Sequence, residues 1–270
     1  MAGTAYSSLK PWSTSRRGPR VGHKPPPPHA VVRQVYDRIA PRYAELYEGV
    51  GPAPHFFQTR LKLVSALLAR QPPGIVLDVG SGPGLIGDCL RSLGCRYVGV
   101  DASVGMAHAC RQRGGTDRGR FSTAARADAL PFADAAFDAV TVLGALEYME
   151  TPERALAECR RVLRPRGTLV ISLLNRSSLY RLLTRLRERR KPARDPIAAV
   201  QFTRREAERA LRRAGFEMRS VAYFDMELLP PTFGENHPRV AQHIAAMFEK
   251  LPRGPLWWLG SGMLIEAFPF

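Results

Sequence analysis

The chain has 270 residues, is 45% hydrophobic, and carries 40 Lys/Arg against 24 Asp/Glu for a net charge of +16. That length supports one large domain with its own core or at most two small ones, and the absence of any run of about 18 uncharged apolar residues argues against a membrane-spanning helix. Cys89, Cys95, Cys110 and Cys159 show neither C-x-x-C spacing nor a His at metal-ligand spacing, so they read as unpaired thiols of a reducing compartment, with no metal site.

Residues 1–29 are rich in Ser, Gly, Pro and Arg, contain no acid and end in Pro25–Pro28. Such a segment cannot bury a core and reads as a disordered basic tail with a stiff polyproline stop. It is basic like a transit peptide but lacks the amphipathic period, and no apolar segment follows it as in a secretory signal, so a cytoplasmic location is expected. Residues 30–270 then form one domain, in three parts: a helical lid over 30–70, a half for a nucleotide-type ligand over 71–175, and an acceptor half over 176–270.

From Ala30 to Gly49 the apolar positions Val31, Val35 and Ile39 are helical, with Pro41 breaking the helix in two. A second helix over about 54–70 carries Phe57, Leu61, Val64, Leu67 and Leu68 on one face. The pattern then changes. Residues 75–80 (IVLDVG) are a short apolar run, as for a strand covered on both faces. A helix over 84–93, a strand over 97–101, a helix over 103–112, a Gly/Arg-rich loop and a strand near 121–125 follow. Further on come a strand over 137–144, a helix over 152–163, a turn at Pro165–Gly167 and a strand over 168–174. Alternation of this kind produces parallel β-α-β units. A basic helix over 177–190, a helix opened by the capping box Thr203–Glu206, strands near 216–224 and 262–268 and a helix near 239–250 complete the chain. The expected fold is α/β and Rossmann-like: a seven-stranded, mostly parallel sheet with helices on both faces and an antiparallel last strand pair.

The chemistry concentrates at VLDVGSGPG (76–84), where a buried strand ends in Gly80-Ser81-Gly82-Pro83-Gly84 and enters a helix. Glycines there let the backbone turn sharply and approach a ligand. Asp101 lies 21 residues after Gly80 at the end of the next strand, where a carboxylate can accept bonds from both hydroxyls of a ribose. Asp128 follows the third strand, within reach of an adenine amino group. Asp78 sits inside the first strand, where a buried carboxylate is costly without partners; the amides of the turn or a cationic ligand would supply them. The glycine spacing is not the G-x-G-x-x-G of a nicotinamide site, and no Walker lysine is present.

Five ordered segments, VYDRIAPRY (35–43), VLDVGSGPG, VGVDAS (98–103), ADALPFADAAFDAV (127–140) and ALAECRRVLRPRGTLVIS (155–172), resemble class I S-adenosylmethionine-dependent methyltransferases, in particular the ubiquinone/menaquinone-methyltransferase-like type 11 branch. The resemblance spans about residues 31–220 and points to the cofactor rather than to the acceptor. It implies that Gly80, Ser81, Gly82 and Gly84 line the methionine and ribose portions of S-adenosylmethionine, that Asp101 binds ribose, and that Ala102, Ser103 and Met106 flank adenine. Asp128 and Ala129 would hold the adenine edge, Leu143, Gly144 and Tyr148 would lie near the sulfonium, and Tyr36 and Tyr43 would close over the cofactor.

Methyl transfer from a sulfonium needs alignment and exclusion of water more than a dedicated base. The segment LGALEYME (143–150) after the fourth strand lacks the Asn/Asp-Pro-Pro-Tyr/Phe sequence of many nucleic-acid amino methyltransferases and has no Cys for a covalent pyrimidine route. Glu147, Tyr148, His55 and, behind them, His237 are the candidate bases, with the Glu147–Tyr148 pair favoured for location. A small hydrophobic acceptor (a lipid, a quinone-like molecule or a secondary metabolite) is expected, with Trp257, Trp258, Phe224, Phe233 and Phe248 as candidate walls of its pocket. The basic helix 177–191, apolar on Leu179, Leu182, Leu183 and Leu186, would suit peripheral contact with anionic membrane. The alternative is an RNA-directed methyltransferase or a nucleic-acid-binding protein using the basic 160–220 region, which offers only Tyr180, Phe202 and Phe216 for base stacking. A protein that binds the cofactor without turnover is the remaining alternative.

Overall fold

A computed structural model describes residues 27–115, 119–181, 199–226, 233, 236–249 and 257–270. The expected tail lies outside the described residues up to position 26, and the expected basic helix lies outside them beyond Arg181. The four cysteines are free thiols. Among the described residues no helix is long and apolar enough to cross a membrane.

Helix α1 (His29–Ile39) leads into a 3₁₀ segment over Ala40–Tyr47 with Pro41 in its first turn, so the break expected at this proline is a change of helix type. Helix α2 (Pro52–Leu68) follows. The β-α alternation is then β1 (Ile75–Val79), α3 (Leu85–Ser92), β2 (Arg96–Asp101), α4 (Val104–Gly114), β3 (Arg120–Ala124), β4 (Phe137–Leu143), α5 (Pro152–Val162) and β5 (Leu163–Leu174). Helix α6 (Arg204–Arg213), β6 (Phe216–Phe224), α7 (Pro238–Glu249) and β7 (Gly262–Pro269) complete it.

The seven strands form one sheet in the order β3-β2-β1-β4-β5-β7-β6. All neighbours from β3 to β5 pair in parallel, and β7 runs antiparallel to both β5 and β6. The last pair is thus antiparallel as expected and lies at one edge of the sheet, with β6 outermost and β7 between β5 and β6. Strand β5 starts five residues earlier than its apolar run. Leu163 pairs with Phe137 and Thr168 with Ala139, so the expected turn at Pro165–Gly167 is a bulge within the strand. A bulge accommodates a proline that has no N–H for the ladder.

Successive strand residues alternate between two cores. Leu77, Val79, Val140, Val142, Leu169 and Ile171 meet α5 (Leu156, Cys159, Val162) and α6 (Ala207, Leu211) on one face. Val76, Ala139 and Val170 meet α2 (Phe56, Phe57, Val64, Leu68) and α3 (Ile86, Leu90) on the other. The capping box opening α6 is formed as the sequence predicts: the Glu206 amide donates to Thr203 Oγ1 at 3.3 Å and the Thr203 amide to Glu206 Oε2 at 2.8 Å.

Asn175 fastens the far end of β5. Its Nδ2 donates to the carbonyls of Trp258 and Gly260, both at 2.7 Å, and its amide to Ser261 O at 2.9 Å. This side chain is buried, and Asn175→Ala would leave two carbonyls with no donor. The expected outcome is a loss of roughly 1–3 kcal/mol, read as a lower urea midpoint with an unchanged slope.

Candidate cofactor and acceptor site

Strand β1 ends at Val79, and the turn that follows is tied to the end of β2. The amides of Gly80 and Ser81 donate to Val100 O at 2.7 and 2.9 Å, and the amide of Gly82 donates to Asp101 Oδ2 at 2.8 Å. Gly80, Gly82 and Gly84 have φ of 71°, 52° and 72°, a region that favours glycine. At Gly80 a Cβ would also overlap the Ala145 side chain. Asp101 takes a second amide bond, from Ser103 to Oδ1 at 2.9 Å. Burial pushes its carboxyl up to about 6, against the pull of these two amides.

The turn opens on a cleft of about 1080 Å³, counting its solvent-open mouth. Gly80, Ser81, Gly82, Asp101, Ala102, Met106, Asp128, Leu143, Gly144, Tyr148, Tyr36, Tyr43 and Asp78 all line it. These sequence-expected residues, from the first four strands and the N-terminal helices, come together in one place. The Tyr36 ring stands 6.0 Å from that of Tyr43 and 5.8 Å from that of Tyr148, and burial holds the phenols of Tyr36 and Tyr43 protonated. Asp128, also in the lining, accepts two bonds from Arg126 (2.8 and 2.7 Å) and one from Thr151, which hold its carboxyl down at about 2.

Three residues expected to touch the cofactor do not line the cleft. Gly84 faces inward, where a Cβ would overlap Cys110 Sγ and the Arg120 guanidinium. Ser103 is the N-cap of α4: its Oγ accepts from the Met106 amide at 3.0 Å and donates to Asp37 Oδ1 at 2.6 Å. Ala129 is turned away, its amide bonded to Arg126 O. Asp78 also differs from expectation in its partners. Two hydroxyls rather than the turn amides satisfy it: Thr141 Oγ1 and Tyr97 OH donate to its two oxygens at 2.7 and 2.9 Å. Burial raises the Asp78 carboxyl, and these two hydroxyls oppose the shift.

The candidate bases separate. Tyr148 is in the cleft. Glu147 lines a second, narrower chamber of about 370 Å³ counting its solvent-open part, which shares Tyr36, Tyr43, Arg60, Gly144 and Tyr148 with the cleft. His55 is buried in α2 and lines neither cavity, and His237 is exposed with its ring 4.9 Å from that of Phe233. The C-terminal aromatics also line neither cavity: Phe224 packs on Phe56 at 4.9 Å in the core, and Trp258 is exposed. Phe56 and Phe57 of α2 wall the chamber in their place.

Sequence reasoning missed Arg60, Asp37 and Arg120. Arg60 lines both cavities from α2, a helix read only for its apolar face. Asp37 Oδ1 accepts from the Ser103 hydroxyl and from the Gly105 amide at 3.0 Å, so α1 is pinned to the start of α4. Arg120 of β3 bonds Gly84 O and pairs with Asp88 at 2.7 Å beneath the turn. Asp37 lay inside a quoted motif, and its position before Ser103 and Gly105 in space was the part no spacing could reveal.

A family model described as a methyltransferase domain, type 11, matches residues 77–171. A demethylmenaquinone methyltransferase of Renibacterium salmoninarum is 35% identical over 144 residues, covering 52% of this chain and 57% of that protein. A malonyl-[acyl-carrier protein] O-methyltransferase of Geobacter sulfurreducens is 34% identical over 189 residues, covering 66% of this chain and 67% of that protein. The matches thus span about three fifths to two thirds of the length of these relatives. In fold, the chain superposes on magnesium protoporphyrin IX methyltransferase from Synechocystis PCC 6803, crystallised with S-adenosylhomocysteine, with a TM-score of 0.66 over 90% of this chain and 100% of that one at 15% identity.

Two glycines test how tightly the turn is built. Gly80→Ala combines a φ of 71° with a steric overlap, whereas Gly94→Ala combines a φ of 75° with open space. Thermal unfolding is expected to cost Gly94→Ala about 1–2 kcal/mol and Gly80→Ala roughly 1–3 kcal/mol more. The turn, the cleft-lining carboxylates Asp101 and Asp128, the seven-stranded sheet and the relatives lead to one conclusion: the chain belongs to the class I S-adenosylmethionine-dependent methyltransferases, in the type 11 branch that includes ubiquinone/menaquinone-type enzymes.

Proposed function

We propose that the protein transfers a methyl group from S-adenosylmethionine to a small, hydrophobic acceptor. The observation that carries this reading is the cleft itself, with a glycine turn and Asp101 at one end and an aromatic-walled chamber at the other. The residues present fit the cofactor. A carboxylate has about four acceptor positions, and Asp101 uses two of them on amides, leaving one on each oxygen for a vicinal diol. A Cβ on Gly82 would stand 3.7 Å from the Tyr43 ring, so glycine keeps open the gap between turn and lid. Met106, Ala102 and Asp128 offer an apolar slot with a polar edge for a purine.

When bound, the cofactor supplies a methyl group already activated by the sulfonium. The protein's own part is alignment and exclusion of water, and orientation contributes about 7–11 kcal/mol in well-aligned systems. Gly144 after β4 and the ring of Tyr148 line both cleft and chamber, and Leu143 at the end of β4 lines the cleft. Tyr36 and Tyr43 roof both spaces. The relatives named for demethylmenaquinone and malonyl-[acyl-carrier protein] support a small-molecule acceptor, and the apolar Phe56 and Phe57 walls support a hydrophobic one.

Calorimetry with S-adenosylmethionine, followed by a labelled-methyl screen of lipid, metabolite and RNA extracts, tests the proposal. Absence of measurable affinity would sink the cofactor reading, and label entering RNA would favour the nucleic-acid alternative. Asp101→Ala is expected to weaken binding about a hundredfold, because two hydrogen bonds to a charged group are lost. The pH dependence has a definite sign. The ionised Asp101 carboxylate is the stronger acceptor, so affinity is level above pH of about 7 and falls, at most tenfold per unit, as pH drops through about 6. In Asp101→Ala that fall is absent.

A further inference from the structure

Two buried charged groups face the chamber and are only partly satisfied. Arg60 is 4% exposed. Its guanidinium lies 5.1 Å over the Phe57 ring and donates one bond, to Tyr47 OH at 2.7 Å. Its Nε has no partner, and among the described residues no carboxylate lies within ion-pair distance of it. Gly144 admits the guanidinium to the end of β4, because a Cβ there would overlap it. Glu147 is 1% exposed. Its Oε1 accepts from the Leu174 amide at 2.9 Å, and its Oε2 is buried with no partner. A cation with no ion-pair contact, its nearest opposite charge being Glu147 itself, and a carboxyl with an idle oxygen are both costly in an apolar chamber. Resting on the cofactor reading above, we propose that Arg60 and Glu147 together hold the reacting end of the acceptor, and that this end is an acidic O–H such as a phenol, an enol or a carboxylic acid.

The arrangement accounts for both idle groups. The acceptor's O–H proton passes to Glu147 Oε2, the bonding pair stays on the acceptor oxygen, and the resulting anion is neutralised by the Arg60 guanidinium. Glu147 suits the transfer, since burial pushes its carboxyl up to about 7 against the pull of the Leu174 amide and of Arg60 and Arg181. Tyr36 and Tyr43, which also line the chamber, are held protonated by burial and leave Arg60 as the cation facing the new anion. Leu173, Leu174, Phe56 and Phe57 would take the apolar body next to the reacting oxygen.

The test uses 4-nitrophenol, whose phenolate absorbs visibly, and its neutral ether 4-nitroanisole, each titrated into the full protein loaded with S-adenosylhomocysteine. The phenolate is expected to bind at least tenfold more tightly than the ether, with its ionisation moved down by about one pH unit. Arg60→Gln should abolish the discrimination and Arg60→Lys restore part of it, with cooperative unfolding and S-adenosylhomocysteine binding showing that each variant folds. A weaker acid, 4-cyanophenol, is titrated at pH of about 7.5, where the free probe is mostly neutral and Glu147 mostly ionised; calorimetry in buffers of different protonation heat should find little net proton release in the native protein and more in Glu147→Gln. Equal binding of the two probes, no binding of either at millimolar concentration, or an unchanged preference in folded Arg60→Gln would overturn the proposal. Failure of S-adenosylhomocysteine itself to bind counts against the cofactor reading instead.

Discussion

The bond from the Gly82 amide to the Asp101 carboxylate, 2.8 Å long, is the constraint on which the site depends. It joins the turn after β1 to the end of β2, and the bonds from Gly80 and Ser81 to Val100 O reinforce the same joint. Parallel pairing of β1 and β2 sets the two strand ends side by side, with Val79 opposite Val100. The strand order then reverses: β2 and β3 lie on one side of β1, β4 and β5 on the other. A crevice forms at such a switch point because the chain departs in opposite directions from adjacent strands. The cleft occupies that crevice, and the turn, Asp101 and the end of β4 form its rim.

Beneath the rim, polar groups take the place of apolar packing. Asp78, Thr141 and Tyr97 face the same side of the sheet as Val76 and Ala139 and bond to one another. A buried carboxylate with two hydroxyl donors is tolerable where an unpaired one is not. Arg120 stacks at 5.0 Å on Tyr97 and bonds Gly84 O, so the floor of the turn is braced from β3. The glycine at 84 thus serves this brace, and those at 80 and 82 serve the cleft.

The N-terminal helices are attached by the same kind of interaction. Asp37 of α1 accepts from the first turn of α4, a favourable place for a negative charge, and Ser103 joins the two. Tyr36 and Tyr43 are consequently held over the cleft from a segment that precedes the sheet in the chain. Helix α2 then brings Arg60, Phe56 and Phe57 to the back of the site, so the N-terminal helices supply both roof and rear wall.

Local pattern sufficed for the β-α order, the glycine turn and the placement of Asp101, because strand runs, a strained turn and the next strand's end are all features of short sequence separation. The capping box at Thr203 and the helix break at Pro41 were legible for the same reason. Neighbours across the sheet were not. That Thr141 and Tyr97 satisfy Asp78, that Gly84 and Ser103 face inward, and that β7 enters between β5 and β6 follow from strand order and register. Arg60 read as one polar residue of an amphipathic helix, and the C-terminal aromatics read as pocket walls; packing reversed the two, leaving Phe224 in the core and Arg60 in the cavities. Periodicity reports which face of an element is apolar, and only the assembled layers decide what that face meets.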